Sequence, residues 1–212
     1  MNLERIKQIA FKLMGNKRSH EWKEIGNKYQ HGERVANLVL VLRKYILPDD
    51  DSHGDILTVA AWFHDVMNGY DNHAEEGSHK AREALTGNCS EQELDEICKI
   101  IRIHDDRSSD RSKLTDYIKL HQDADQLDHF GTFDIWMEFS YAMHFDKTMI
   151  DVIDWLQNNL RNEGKRYRNE LNYDISKKIF DEKVEFVQYF CDRLSVEGTG
   201  GIWNEMEIIG NL

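Results

Sequence analysis

The chain has 212 residues, 39 of them acidic and 27 basic, and a formal charge of −12. It carries a single proline, where the usual frequency of about 5% would give roughly eleven, which excludes proline-rich and collagen-like architectures and permits long unbroken helices. So negative a charge also argues against extended nucleic acid as a partner, because binding a polyanion rests on a basic face that neutralises phosphates.

Apolar residues recur at helical spacing almost throughout. Leu3, Ile6, Ile9, Ala10 and Leu13 predict a first helix, stopped by Gly15. A second opens after Gly26, carries the stripe Val35, Leu38, Val39 and Leu42, and ends near Pro48. Residues 49–54 read as a loop. Ile56, Leu57, Ala60, Ala61, Phe63 and Val66 form a third helix, apolar on nearly every side and therefore buried. After an irregular turn at 68–73, a short helix covers 75–85. Ser90 with Glu93 is a capping box opening the helix of Leu94, Ile97, Ile100 and Ile101. Residues 105–112 read as a polar loop. The stripe resumes at Leu114, Tyr117, Ile118, Leu120, Ala124 and Leu127. Helices near 132–145, 148–162 and 174–195 follow, with Gly131 and Gly164 as punctuation and Ile202, Trp203, Ile208 and Ile209 as candidates to tuck the tail down.

The expected fold is all-α: one helical bundle with a C-terminal helical extension. No apolar run approaches the roughly 20 residues of a membrane span. Charges interrupt the hydrophobic pattern of the first seven residues, unlike a secretory leader. Cys89, Cys98 and Cys191 form no CxxC pair, and reduced thiols in a cytoplasmic protein are the simplest reading.

The residues that carry chemistry are polar groups on apolar stripes. His31 shares the face of Val35, Leu38 and Leu42; His64 shares that of Leu57, Ala60 and Ala61, with Asp65 beside it; His104 extends the stripe of Ile97, Ile100 and Ile101; Asp125 lies between Ala124 and Leu127, with His121 one turn earlier. A lone buried histidine is ordinarily a hydrogen-bonded core residue, and a lone aspartate near a helix end a cap. The adjacent pair in Ala60-Ala61-Trp62-Phe63-His64-Asp65-Val66 needs a common reason. Buried carboxylates cost several kcal/mol unless paired or bound to a cation. One shared divalent ion would satisfy residues from four helices together.

The order His31…His64-Asp65…Asp125 on a helical chain resembles the HD-domain metal-dependent phosphohydrolases. The matching segments are His31-Gly32-Glu33-Arg34-Val35, the doublet helix, and Asp123-Ala124-Asp125-Gln126-Leu127-Asp128, with Ile100-Ile101-Arg102-Ile103-His104 also fitting. The resemblance covers roughly residues 26–145. It implies an HD domain there, with 1–25 as an N-terminal helix and connection and 146–212 as C-terminal helices packed on the same domain. It implies metal ligands at His31, His64, Asp65 and Asp125, with Asp123 as the competitor for the last position. The metal would be Mn, Mg, Co, Ni, Zn or Fe, and the reaction hydrolysis of a small phosphorylated metabolite, a nucleotide among the candidates, by metal-activated water. Asp65 and His104 are the candidate catalytic groups; Arg34, Arg102 and Arg107 the candidate phosphate-binding ones, with Arg111 and Lys113 nearby as a rim. A homo-oligomer is compatible with this reading.

Two departures from the family pattern keep a second class open. Asn68 stands where many HD enzymes have an acidic residue, and Gln126 where many have arginine. A regulator that binds nucleotide or metal without turnover is therefore one alternative, and a di-iron oxygenase using extra histidines another. His73 and His79 lie in a polar stretch and read as exposed histidines.

Overall fold

Helical periodicity becomes helices in the computed structural model of the chain, which describes residues 1–107 and 110–209, apart from the side chains of Met206 and Ile209. The elements are α1 (Leu3–Ala10), α2 (Asn27–Ile46), α3 (Gly54–Phe63), α4 (His73–Leu85), α5 (Glu91–Ile103), α6 (Asp116–Asp128), α7 (Thr132–His144), α8 (Met149–Glu170), α9 (Asp174–Glu197) and the short α10 (Glu205–Ile209). Among the described residues there is no β-strand.

Their ends follow local chemistry. Ser90 and Glu93 close the capping box of α5, and Thr148 with Asp151 forms another at α8. Thr115 caps α6 through its side-chain oxygen. Each satisfies N–H groups that a helix start leaves without partners. Gly26 precedes α2 in the left-handed region at φ 79°. A Cβ there would sit 2.6 Å from the Gly15 carbonyl oxygen, so only glycine allows segment 16–26 to fold back on α2.

α3 is the central strut. Every residue from Ile56 to Phe63 is buried, and α3 packs against α2, α5 and α1. α2 also packs along α6. Phe63, Leu42, Leu57, Ile97, Leu120 and Leu127 have no exposed surface. A second apolar cluster joins α7, α8 and α9 through Ile135, Val152, Ile153, Leu156, Val187 and Cys191.

Several boundaries differ from the sequence expectation. α1 ends at Ala10 and continues as one wide π turn to Gly15. α3 stops at Phe63 rather than near Val66, because residues 63–68 bond in successive three-residue turns: Val66 to Phe63 at 3.1 Å and Asn68 to Asp65 at 3.0 Å. α8 runs to Glu170, straight through Gly164. A lone glycine costs a helix only about 1 kcal/mol, which packing of α8 on α9 outweighs. A single 3₁₀ turn at Arg111–Lys113 interrupts the polar loop, whose Ser108 and Ser109 lie outside the described residues. Of the tail's four apolar candidates, Trp203 stands edge-on to Tyr189 with ring centroids 5.4 Å apart; Ile202 and Ile208 are exposed, and the side chain of Ile209 lies outside the described set. No helix among the described residues is long and apolar enough to cross a membrane.

Candidate metal centre

Four helices deliver polar side chains to one buried point. His31 comes from the first turns of α2, His64 and Asp65 from the end of α3, His104 from the end of α5, and Asp125 from the last turn of α6. His31 Nε2 lies 3.1 Å from His64 Nε2 and 3.2 Å from Asp125 Oδ1. His64 Nε2 is 3.4 Å from the same oxygen and 3.9 Å from Asp65 Oδ1. His104 Nε2 approaches Asp65 Oδ1 from the other side at 3.8 Å.

The outward nitrogens explain why these faces converge. His64 Nδ1 donates to the Ala61 carbonyl at 2.8 Å, and His104 Nδ1 to that of Ile101 at 2.7 Å. A carbonyl oxygen only accepts, so both rings carry their proton on Nδ1. His31 Nδ1 donates to Asp128 Oδ2 at 2.7 Å. In their neutral forms, the ones a metal takes, the three imidazoles therefore aim Nε2 lone pairs inward, among carboxylate oxygens that are also acceptors. Acceptors facing acceptors in a buried site call for a shared cation, and ring N–H groups tied to backbone or carboxylate are the arrangement that orients histidine ligands. The donor set fits a divalent metal.

Protons compete with a metal for these same atoms. Burial opposes the imidazolium of His31, but hydrogen bonds to Asp125 and Asp128 outweigh it and lift the group to about 10. Burial would raise the Asp125 carboxyl, yet bonds from His129, His31 and His64 hold it well below the usual range. His104 and His121 are pushed down, first by burial and then by the charge of His64.

Asp123 faces the other way. Its carboxylate accepts from the Asn172 backbone at 2.8 Å and the Tyr173 backbone at 3.1 Å, tying α6 to the α8–α9 turn. Of the two aspartates, Asp125 is the one that meets the histidines. Among the expected phosphate-binding arginines, Arg34 lines the cavity at the centre but is already bonded to Asp128, at 2.8 Å through Nη2, and stacks on Phe133. Arg107 Nη2 lies 3.9 Å from Asp125 and bonds the Gln122 carbonyl at 3.1 Å. Arg102 departs from the expectation: it points along the α4–α5 surface to Glu75, at 2.7 Å, and away from the cavity, because the Glu75 carboxylate competes for it.

Several participants were not singled out in the sequence. Asp128, one turn beyond Asp125 on the same face of α6, is the signal that could have been read. His129 at the end of α6 reaches within 3.5 Å of Asp125. Lys23, from a stretch without apolar periodicity, and Lys28, from the first turn of α2, line the cavity with half-buried ammonium groups that burial makes easier to deprotonate. Asn68 donates to Asp65 Oδ2 at 2.8 Å. The polar sequence around His73 predicts an exposed histidine, but its ring stands 5.3 Å from that of His104, and it forms a further donor group with Asp65 and His104. His121 is fully buried against His64 and His104 with neither nitrogen bonded to protein. His79 is exposed and paired to Glu75, as its polar surroundings suggest.

The cavity over this centre has a volume of about 210 Å³. Trp22, Phe133 and Met137 form its apolar wall, and Asp134 and Glu138 a carboxyl edge. Burial raises Asp134 to about 6 and Glu138 to about 7.

No family model matches the sequence, and no curated protein does. Solved structures do match. An HD-superfamily hydrolase from Bacillus thuringiensis superposes with a TM-score of 0.68 at 19% identity, covering 93% of this chain and 96% of the other. A predicted HD-superfamily hydrolase from an uncultured Thermotogales bacterium gives 0.61 at 22% identity, covering 92% of each. Bacillus subtilis YpgQ, solved in complex with ADP, gives 0.62 at 19%, covering 91% of this chain and 92% of YpgQ. The chain has the all-helical fold of the HD superfamily.

Proposed function

We propose that the chain is a metal-dependent phosphohydrolase of the HD superfamily, cleaving a phosphate ester or phosphoanhydride of a small metabolite. The observation that carries this reading is the convergence of His31, His64, Asp65 and Asp125, with inward lone pairs and ring protons tied down outside, under a cavity edged by lysines. Those four residues would hold the ion. When bound, the metal supplies a Lewis acid and a water of lowered pKa.

The protein's own groups do the rest. Lys23 and Lys28 present positive charge that no carboxylate among the described residues neutralises by direct pairing, and they hold the phosphoryl oxygens. Arg34 keeps Asp128, and through it the His31 ring, in position. Asp65 accepts a proton from the attacking water. Asp65 passes that proton on to the leaving oxygen, and neutral His104, its own proton tied to the Ile101 carbonyl, accepts a hydrogen bond at Nε2. Trp22 and Phe133 shield the centre from bulk water and offer flat faces to an organic moiety. That YpgQ was solved with ADP supports keeping nucleotides among the candidate substrates.

Asn68 favours a second reading. At a position where an acid would accept a proton, it instead donates to Asp65, as a binding protein without turnover could tolerate. Elemental analysis of the purified protein, coupled to a phosphate-release screen over nucleotides and sugar phosphates, tests both. One or more divalent ions per chain and release abolished by Asp65→Ala are expected of the hydrolase. Tight nucleotide binding without release across a panel of metals would replace it with the binding protein.

A further inference from the structure

Beside the metal-centre cavity lies a larger one of about 430 Å³. The two share Ser19, Lys28 and Asn68 in their walls. Lys17, Arg18, Lys28 and Lys80 line the second cavity, and no aspartate or glutamate does. In a chain with 39 acidic and 27 basic residues, that segregation is opposite to the overall charge.

The cations are also poorly neutralised. Arg18 Nη1 donates to the Glu21 carbonyl at 2.8 Å, and Lys28 donates to the Asn68 carbonyl; among the described residues neither these two nor Lys17 has a carboxylate in an ion pair. Only Lys80 has one, with Glu83 at 2.8 Å. Backbone geometry keeps the group together. Gly26 N–H bonds the Lys17 carbonyl at 2.8 Å, which folds Lys17 and Arg18 back beside the start of α2. Like charges so gathered repel, and an anion among them relieves the repulsion.

We propose that this cavity is an anion-binding subsite for a second phosphoryl group of the substrate whose reacting phosphoryl group sits at the metal centre. The proposal rests on the hydrolase reading for the identity of the substrate, and on the cavity alone for the binding of the anion. Lys28, common to both cavities, bridges the two groups. A substrate with a single phosphoryl group fills only the first cavity.

Isothermal titration of the full chain with inorganic tripolyphosphate and with orthophosphate tests it. The wild type and Asp65→Ala, which blocks turnover, are compared with the same proteins carrying Lys17→Gln and Arg18→Gln. Both replaced side chains are exposed, so these variants keep the fold, as a thermal melt verifies. The double replacement is expected to weaken tripolyphosphate at least about tenfold and orthophosphate by less than about twofold, the loss of charge-assisted hydrogen bonds to one group only. Equal weakening of both anions, or of neither, overturns the subsite. Tripolyphosphate that still binds after orthophosphate saturates the metal centre, without competition between them, overturns its link to the substrate and marks the cavity as a site for a separate anion. Absence of phosphate release from any substrate, with tripolyphosphate binding that still depends on Lys17 and Arg18, defeats the hydrolase reading and upholds the anion subsite.

Discussion

Asp128→Asn is the most direct probe of the centre, because it touches no inward-facing donor. Asp128 Oδ2 accepts from His31 Nδ1 at 2.7 Å and from Arg34 Nη2 at 2.8 Å, and Oδ1 accepts from Arg34 Nε at 2.9 Å. Burial works against the ionised carboxyl, but His31 and Arg34 hold it at about 2. Asparagine keeps the shape and removes the charge. Its amide oxygen can take one donor; its NH₂ then faces another donor. Each charge-assisted hydrogen bond is worth about 1.5–3 kcal/mol, and Arg34 is partly exposed, so the low end applies. The expected cost is about 2 kcal/mol, or a fall in Tm of about 4–8 °C for a chain this long. His31 meanwhile loses the partner that fixes its ring. Outer partners of metal-bound histidine typically control about 10–100-fold in affinity. Titration of Mn²⁺ by calorimetry, with a melt of the same preparations, reads both quantities. Metal affinity within about twofold of wild type would show that Asp128 does not orient His31, and the argument for the inward lone pair would fail with it.

A Cβ on Gly32 would stand 2.9 Å from the Ala61 carbonyl oxygen and 3.2 Å from Trp62 Cα. Gly32→Ala should therefore push α2 off α3, separate His31 from His64, and lower both Tm and metal affinity; an unchanged Mn²⁺ titration would contradict this. Asp134 has its carboxyl raised by burial to about 6 from an ordinary 3.8. The folded state then holds a proton that the unfolded state has released, so the group's contribution to stability is full below about pH 4 and is lost as pH rises through about 6. Urea midpoints of Asp134→Asn and wild type should diverge by about 1–2 kcal/mol in favour of the variant between about pH 4 and pH 8, after allowance for partial exposure; a pH-independent difference would refute it. Leu156 is fully buried in the α7–α9 cluster, and its truncation to alanine should cost about 2–5 kcal/mol. Since α8 supplies no donor to the centre, metal affinity should not change, and a parallel loss would mean that the second cluster holds the site in register.

The helices were legible because their stripes are long and their caps are local. Ser90 and Glu93 could be read directly, and so could the buried character of α3. The His31, His64-Asp65 and Asp125 set was legible for the same reason: polar residues on faces that packing would otherwise make apolar. What escaped lacks that contrast. Lys23 lies in a stretch with no stripe to violate, and Lys28 stands in the first turn of α2, where a lysine is ordinary; Gly26 turns the chain between them. The resemblance already favours Asp125 over Asp123, but the physical reason, that the α8–α9 turn arrives beside α6 and takes up the Asp123 oxygens, is visible only in the fold. Arg102 read as a phosphate ligand because His104 is near it in sequence, but on a helix two residues apart means opposite sides, and Glu75 lies on the other one.

On the proposed function, charge distribution would let one molecule disfavour polyanions and still hold phosphate. At −12, the long-range field opposes any approaching anion, and over distances beyond about 10 Å salt screens most of it. Inside the cavities the balance is set by near neighbours instead. There Lys23 and Lys28 stand partly desolvated, Lys17 and Arg18 lack carboxylate partners, and Asp65 and Asp125 face a donor set built for a cation. A duplex cannot enter cavities of about 210 and 430 Å³, so it meets only the acidic exterior. On the proposed function, a small phosphorylated molecule enters and exchanges a repulsive outer field for ammonium and guanidinium groups that lack carboxylate partners among the described residues. Selection by size and selection by charge are then the same event, and replacing Lys17 and Arg18 should erode affinity for the small anion without creating any for the large one.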